Sequence, residues 1–372
     1  MKTRGGSTPA GRPLIIPLFI PHMGCPHQCI FCNQQSITGK SAQTPTPEQI
    51  HREVNRFLKY GKKQPSTTQI SFFGGSFLGL EKETILSLLG AAMPFVKRTE
   101  VDSIRFSTRP DTISRETLDL LDGFPVSTVE LGVQSMNDRV LDAAGRGHRA
   151  ADTVVAVGLL QQRGYQVGLQ MMVGLPADDD SVAMDTARRM AALQPDFVRI
   201  YPTLVLKGSP LASRFKSGRY HPMGLAACVT LVKRLYLFFN THHIPVIRMG
   251  LQASDGLTRT GDFIAGPYHP AFGHLVHGEI VLDAISSALG GMENRPDPLT
   301  ITAHPTMISR VQGLNKKNIR HLKQHFDLKK IALLQNAHID KTHLTVAGQQ
   351  VTLPYIPEKP IIPASNGKTP AC

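Results

Sequence analysis

Short apolar runs alternate with longer amphipathic ones from residue 14 to about 240. The runs 14–20 ("LIIPLFI"), 69–73 ("QISFF"), 103–107, 128–133 ("TVELGV"), 166–173 ("QVGLQMMV") and 197–201 ("FVRIY") have strand length. The stretches 47–60, 81–94, 114–122, 137–144, 150–163 and 180–192 between them read as helices. Pro47 can open the first helix, with Thr46 as its cap and Gln49 at capping-box spacing. Such alternation gives parallel strands joined by right-handed helical crossovers. With six units and no Gly-x-Gly-x-x-Gly turn after the first strand, the pattern predicts an α/β fold, a partial (β/α)6 TIM-type barrel. Ligands then gather at the carboxyl ends of the strands.

Beyond residue 240 the texture changes. Residues 241–298 form a Gly-, Pro- and His-rich extension with a helix predicted at 279–289. His269, His274 and His277 within it are either surface residues or groups that reach the barrel mouth. Residues 299–353 read as a small basic α+β unit: a strand "LTITA", a helix at 315–326, and short strands ending in "QQVTLPY". Lys316, Lys317, Arg320 and Lys323 crowd that helix. Residues 1–13 read as a basic flexible N-terminus, and residues 354–372, with five prolines, as a disordered tail. No internal repeat is present.

Each predicted strand is followed by something chemically unusual: three cysteines, then "GGSF", "STRPD", "GVQS", "GLP" and "YPTLVLKG". Cys25, Cys29 and Cys32 occupy eight residues of a chain with only five cysteines. An odd cluster is not a disulfide framework. A structural zinc ion takes four ligands, for which His22 and His27 are the nearby candidates. A redox pair formed by Cys29 and Cys32 leaves Cys25 unused. An iron–sulfur cluster on three thiolates leaves one iron open to a small molecule. Cys228, in "LAACVTLV", reads as a buried small hydrophobe, and Cys372 has no assigned role.

Cys-x3-Cys-x-aromatic-Cys after a first barrel strand, with Phe31 as the aromatic, resembles the signature of the radical S-adenosylmethionine (SAM) superfamily. The resemblance implies a 4Fe-4S cluster held by Cys25, Cys29 and Cys32, with SAM on the open iron. One electron then cleaves the sulfonium to a 5′-deoxyadenosyl radical. It also implies an external electron donor of flavodoxin or ferredoxin type. "GGSF" is similar to the superfamily's Gly-Gly-Glu segment, so Gly74, Gly75 and Ser76 are expected at the methionine amine through backbone carbonyls. Gln134 of "GVQS" and Arg146 of "GRGH" are expected at the ribose and carboxylate ends. Arg109 of "STRPD", Gln170 and Phe31 complete the expected cofactor surround, with Gln170 and "GLP" on the adenine side. Ser107 stands where relatives often carry a ribose-binding Glu.

"TRPDTI", "ELGVQS", "RGH", "IYPTLVLKGSPL" and "SGRY" together resemble the radical domain of the Elongator catalytic subunit, over residues 14–240. Those proteins modify the wobble uridine of tRNA and carry a further acetyltransferase-like domain. This chain ends too early for such a domain and lacks its pyrophosphate turn, so the expectation is a standalone form. Tyr201 and Lys207, at the end of the sixth strand, are the candidate catalytic contacts to substrate.

Charge then bears on the partner. Lys and Arg total 41 against 28 acidic residues, a net charge of +13, which favours a polyanion, nucleic acid above all; the resemblance implies that it is tRNA. Two other readings remain: a radical enzyme with a small-molecule substrate related to oxygen-independent coproporphyrinogen oxidases, whose "GVQS" and "GRGH" are similar, and a non-catalytic iron–sulfur protein that binds nucleic acid. No apolar run is long enough to cross a bilayer. No apolar core with a cleavage site follows the basic start, so a secretory signal is not expected. With few cysteines, the chain is expected in a reducing, cytoplasmic compartment.

Overall fold

The computed structural model describes residues 13–20, 23–33, 44–60, 65–251 and 261–354. His22, Cys372, and nearly all of the basic N-terminus and the Pro-rich tail lie outside them. In chain order the first elements are β1 (Leu14–Ile20), α1 (Pro47–Tyr60), β2 (Thr68–Gly74), α2 (Lys82–Lys97), β3 (Ser103–Thr108), α3 (Arg115–Asp119), β4 (Val126–Gln134), α4 (Asp138–Ala143), α5 (Ala150–Gln162), β5 (Gln166–Val173), α6 (Asp180–Ala192) and β6 (Phe197–Pro202). A short strand β7 (Val205–Leu206) and α7 (Pro210–Lys216) lead into α8 (Leu225–Thr241) and β8 (Val246–Met249). Then come β9 (Phe263–Ala265), α9 (Phe272–Gly290), β10 (Leu299–Ala303), α10 (Ile308–Gln312), α11 (Lys317–Phe326), β11 (Ile331–Gln335), β12 (His343–Val346) and β13 (Gln349–Thr352).

The main sheet runs β1-β2-β3-β4-β5-β6-β8, every pair parallel. Because neighbours in space are neighbours in sequence, the sheet has no reversal of order and curls in one direction as a partial barrel. The six expected strands are present to within two residues at each end. β8 extends them by a seventh; only four residues long, it follows the excursion through β7 and α7. Within each strand, period two sorts the side chains. Val129, Leu131 and Val133 of β4 are buried with the helices. Thr128, Glu130, Gly132 and Gln134 take the inner face of the curl.

The capping exchange foreseen for α1 is present: Thr46 N donates to Gln49 Oε1 at 2.9 Å and Gln49 N to Thr46 Oγ1 at 3.3 Å. α9 begins seven residues before the helix expected at 279–289, because Phe272, Val276, Ile280, Val281, Ile285 and Leu289 form one buried stripe. Its Gly and His residues disguised the start. α9 packs on α8, α10 and α11. β10 is central in a second sheet of order β11-β10-β12-β13. Leu299, Ile301 and Leu344 of that sheet belong to the same apolar core as the barrel strands. Cys228 is fully buried in α8, and burial pushes its thiol up to about 12. Among the described residues no helix is long and apolar enough to cross a membrane.

His277 is neither a surface residue nor a mouth residue. α9 sets its ring edge-on to Tyr236 of α8, with centroids 5.2 Å apart, and its Nδ1 is buried without a hydrogen-bond partner. Burial, then Arg310 and His274, lower its pKa to about 3. The unfolded chain therefore binds a proton from pH 6.5 downward while the folded chain resists it. Stability should be at its plateau above pH 6.5 and fall below it by up to about 1.4 kcal/mol per pH unit from this group. The His277→Leu variant should show a shallower loss between pH 6.5 and 4 in chemical denaturation. An unchanged pH slope would contradict the burial of a neutral imidazole.

Candidate active site at the strand ends

Residues 23–33, which carry the three cysteines, have no regular secondary structure, so their neighbours hold them. On one side they dock on the turn after β2. Gly75 N donates to Ile20 O at 2.9 Å and Ser76 N to Met23 O at 2.8 Å. A Cβ on Gly75 would lie 2.1 Å from Met23 O, and one on Gly24, whose φ is +68°, would lie 2.1 Å from Ser76 O. Only glycine permits this backbone-on-backbone approach. On the other side Ile30 N donates to Ala144 O at 3.0 Å, Leu211 N to Ile30 O at 2.8 Å, and Asn33 Nδ2 to Lys207 O at 2.6 Å. Phe31 packs between two apolar groups, one with Ile30, Val205, Leu211 and Tyr220, the other with Val140, Ala144 and Leu175.

The cysteines are free thiols. Cys29 is buried, whereas Cys25 and Cys32 are half-buried. Burial and then Cys29 raise the Cys25 thiol above its ordinary value, while Arg109 and Arg146 oppose the shift. Cys32 N donates to Cys29 O at 3.0 Å, which tightens the second half of the loop. Among the described residues no three His, Cys, Asp or Glu side chains are grouped as one metal ion would require. A cluster makes a different demand, because each thiolate takes a separate iron.

Two buried arginines back this loop. Arg146 Nη1 donates to Cys29 Sγ at 3.1 Å and Nη2 to Gly132 O at 2.5 Å, while its Nε is buried without a partner. Arg109 forks onto Asp111 at 2.9 and 2.7 Å and also donates to Arg146 O, and its Nη1 is left over. Gln134 ends β4 in the left-handed region (φ +68°), and its Oε1 is a buried acceptor without a donor. Buried polar atoms left this way cost free energy unless a ligand completes them. The leftovers are guanidinium donors and one amide acceptor, which fit a ligand carrying both an anionic group and hydroxyl or amine protons. They lie at the same strand ends as the three thiols.

Ser76 has a different task. Its hydroxyl lies 3.0 Å from Thr108 Oγ1 and accepts from Arg109 N at 3.2 Å, and its carbonyl accepts from Gly79 N at 3.0 Å. It ties the ends of β2 and β3 together. Gly74, with φ +108°, closes β2. His148 of "GRGH" stands beside Arg146 with no role that its spacing suggests. It is 2% exposed, neither ring nitrogen has a hydrogen-bond partner, and burial followed by Arg146 lowers its pKa to about 4.

The inner face of the barrel holds a group that pattern reading did not single out. Glu130 is fully enclosed. Its carboxylate accepts from Arg105, from Arg199 Nη2 at 2.9 Å and from Gln170 Nε2 at 3.1 Å, and pairs with Arg199 Nε at 2.9 Å. Burial alone would raise its pKa, but Arg199 and Arg105 hold it below the ordinary range. Arg105 also donates to Gln69 Oε1 at 3.2 Å. Five residues from β2, β3, β4, β5 and β6 are thus tied by one anion. The available signal was a charge inside each of three apolar strands: "SIRFST", "TVELGV" and "FVRIY".

Tyr201 joins this inner face, its hydroxyl accepting from Arg199 Nη1 at 3.3 Å. Lys207 does not. It is exposed in the turn after β7, and its N donates to Asp262 O at 2.8 Å beside the antiparallel β7–β9 pair. The two candidate substrate contacts therefore belong to different walls.

Residues 19–190 match the profile of the Radical SAM superfamily, and residues 195–281 that of the Radical_SAM C-terminal domain. An uncharacterised protein of Methanocaldococcus jannaschii is 30% identical over 223 residues, covering 56% of this chain and 67% of its own length. The tRNA uridine(34) acetyltransferase of Dehalococcoides mccartyi is 25% identical, covering 59% of this chain and 54% of its own. Among solved structures, the archaeal Methanocaldococcus infernus Elp3 with an N-terminal deletion aligns with a TM-score of 0.56 at 20% identity, over 73% of this chain and 63% of that one. The chain thus spans between about half and two thirds of the length of these relatives.

Gly75→Ala should lower stability by about 1–3 kcal/mol, since backbone must move. Gly90→Ala, with nothing within 4 Å in the middle of α2, should raise it by about 0.5–1 kcal/mol. Calorimetric melting of both variants checks this, and equal melting of Gly75→Ala and the parent would refute the close approach. Glu130→Gln strands two buried guanidiniums and should cost about 3–5 kcal/mol in urea titration. A loss under about 1 kcal/mol, the range of exposed pairs, would contradict its central place.

Proposed function

We propose, for a chain that belongs to the radical SAM superfamily and is a radical SAM enzyme, that it modifies a tRNA base in the manner of a standalone Elongator-like radical domain. The observation that carries the reading is the convergence of three thiols, Arg146, Arg109 and Gln134 at the carboxyl ends of the first four strands, with polar atoms on all three of those side chains left for a ligand. Cys25, Cys29 and Cys32 would hold a 4Fe-4S cluster. That cluster, when bound, supplies one electron to SAM and so a 5′-deoxyadenosyl radical. Arg146 and Arg109 would receive the SAM carboxylate, each through its spare N–H. Gln134 would accept a ribose hydroxyl proton. Gly74 and Gly75 would let backbone carbonyls reach the methionine amine. The apolar packing around Phe31 would keep water from the loop. Electrons would come from a donor of flavodoxin or ferredoxin type, in a cytoplasmic setting.

The tRNA part draws on the relative named for uridine 34 of tRNA and on the charge of the chain. Lys316 immediately precedes α11, which offers Lys317 and Arg320 at the surface, and Lys329 and Lys330 follow it; all five are exposed. Some of this charge is engaged locally: Lys323 Nζ donates to Lys329 O at 2.8 Å and Lys317 lies 3.7 Å from Glu279. Lys316, Lys329 and Lys330 are the groups best placed for phosphates. Each phosphate neutralised adds about −0.9 to the slope of log affinity against log salt.

The enzyme reading is tested by anaerobic reconstitution with iron and sulfide, reduction with dithionite, and assay for 5′-deoxyadenosine. Cys29→Ala should lose both the brown colour and the product, and product formed by that variant would rule out the three-thiolate site. For the partner, tRNA should shift the protein in a gel at low salt. The double variant Lys316→Glu, Lys330→Glu should lower the salt slope by about two. No retention of tRNA at low salt would refute the RNA reading.

A further inference from the structure

The Arg105–Glu130–Arg199 group has more positive charge than a cross-link between strands requires. One arginine would neutralise one glutamate, yet two share it in a space from which water is largely shut out. Three N–H groups donate to the Glu130 carboxylate, one of them from Arg199, and Arg199 Nε lies 2.9 Å from it without a hydrogen bond, so this single carboxylate is shared by two cations. Arg105 is wholly enclosed and is directed to Gln69, whereas the Arg199 side chain is 13% exposed on the inner face. Arg199 is therefore the cation that faces the open part of the curl.

Among the described residues, its surroundings supply donors and no second anion. Arg199 Nη1 donates to the Tyr201 hydroxyl, which leaves the Tyr201 proton to be given to something else. Arg248 stands beside Arg199 in the strand register. Ser107 pairs in register with Glu130, and Ser71 with Arg105; the hydroxyls of both serines are buried without partners. Across the curl, Phe73 of β2 lies under the Arg199 guanidinium at 5.4 Å, and Phe19 lies 6.5 Å from Phe73. Aromatic rings hold a cation in place but do not discharge it.

We propose that this inner face is an oxyanion subsite. A carboxylate or phosphate oxygen of the substrate would be received by Arg199 and by the Tyr201 O–H, with the rest of the group against Phe73 and Phe19. The subsite deepens the reading of a radical enzyme, because its anion would sit inside the curl, below the rim that carries the thiols. It fixes the class of molecule presented there as one with an acidic group. It also gives Tyr201 a positioning task distinct from the exposed Lys207. Glu130 serves by orienting both arginines and the Gln170 amide.

The experiment uses the full chain. Crystals soaked in sodium bromide report where a small anion settles, and calorimetric titrations with acetate, inorganic phosphate and neutral acetamide at fixed ionic strength report which class binds. The expected results are an anomalous peak within hydrogen-bond reach of Arg199 and Tyr201, and binding of acetate or phosphate but not acetamide. Acetate binding more tightly than phosphate would identify a carboxylate acid, and the reverse a phosphate ester. Arg199→Gln should lose the peak and weaken the favoured anion at least about tenfold. Tyr201→Phe, which keeps the ring, should weaken it about threefold to tenfold and keep the peak. Should Arg199→Gln fail to fold, Tyr201→Phe and Arg199→Lys carry the test, the latter retaining anion over acetamide selectivity. Cys29→Ala, which removes the metal, should keep the peak, so failure of the cluster and failure of the subsite are told apart. No peak in the parent, equal binding of acetamide, or affinities unchanged in both Arg199→Gln and Tyr201→Phe would overturn the proposal.

Discussion

A segment without helix or strand can present three thiols in a fixed arrangement only if other parts of the chain clamp it. Here the clamp is the contact of the Gly24 turn with the Gly75–Gly79 turn, backbone against backbone, with no room for a single Cβ. The far end is held by Ala144, Leu211 and Lys207, through hydrogen bonds to Ile30 and Asn33. β1 and β2 bring the first pair of turns together because they are adjacent in the sheet. The remaining contacts come from the segments after α4 and β7. The arrangement of the thiols is thus a product of the whole sheet order rather than of the loop itself.

The barrel divides its labour by depth. At the rim, Arg146 and Arg109 touch the cysteine loop or each other, and each has one nitrogen buried without a hydrogen-bond partner. Lower on the inner face, Glu130 collects donors from β3, β5 and β6 and sets the guanidinium planes. A buried carboxylate between two arginines does not by itself make a fold more stable than apolar packing would. It does make the arrangement unforgiving, since removing one member leaves a charge with nowhere to go. Such rigidity suits a site that must hold reactive groups while excluding water.

The parallel sheet was legible because its outward positions, such as Val129, Leu131 and Val133, form uninterrupted apolar alternation with helices of the right length between. β8 was not, since "VIRM" is too short to show a period. The beginning of α9 was hidden by Gly273, His274 and His277, residues that suggest a loop until Phe272 and Val276 are seen to share a buried stripe with Ile280. At the site, cysteine spacing and the glycines before Ser76 were readable because each answers a local geometric need. The roles of Ser76, Glu130 and Arg199 were not, because they depend on which strands lie side by side. A hydroxyl bridging β2 to β3, or a carboxylate serving three strands, has no fixed spacing in sequence.

By the reading proposed above, the clamped loop would hold an iron–sulfur cluster with one iron left for SAM. Electron paramagnetic resonance of the anaerobically reconstituted, dithionite-reduced protein tests this most directly. The expected spectrum is that of a reduced 4Fe-4S cluster whose g values change when SAM is added and do not change with adenosine. A spectrum indifferent to SAM, or protein that takes up a single zinc ion in place of iron and sulfide, would contradict it.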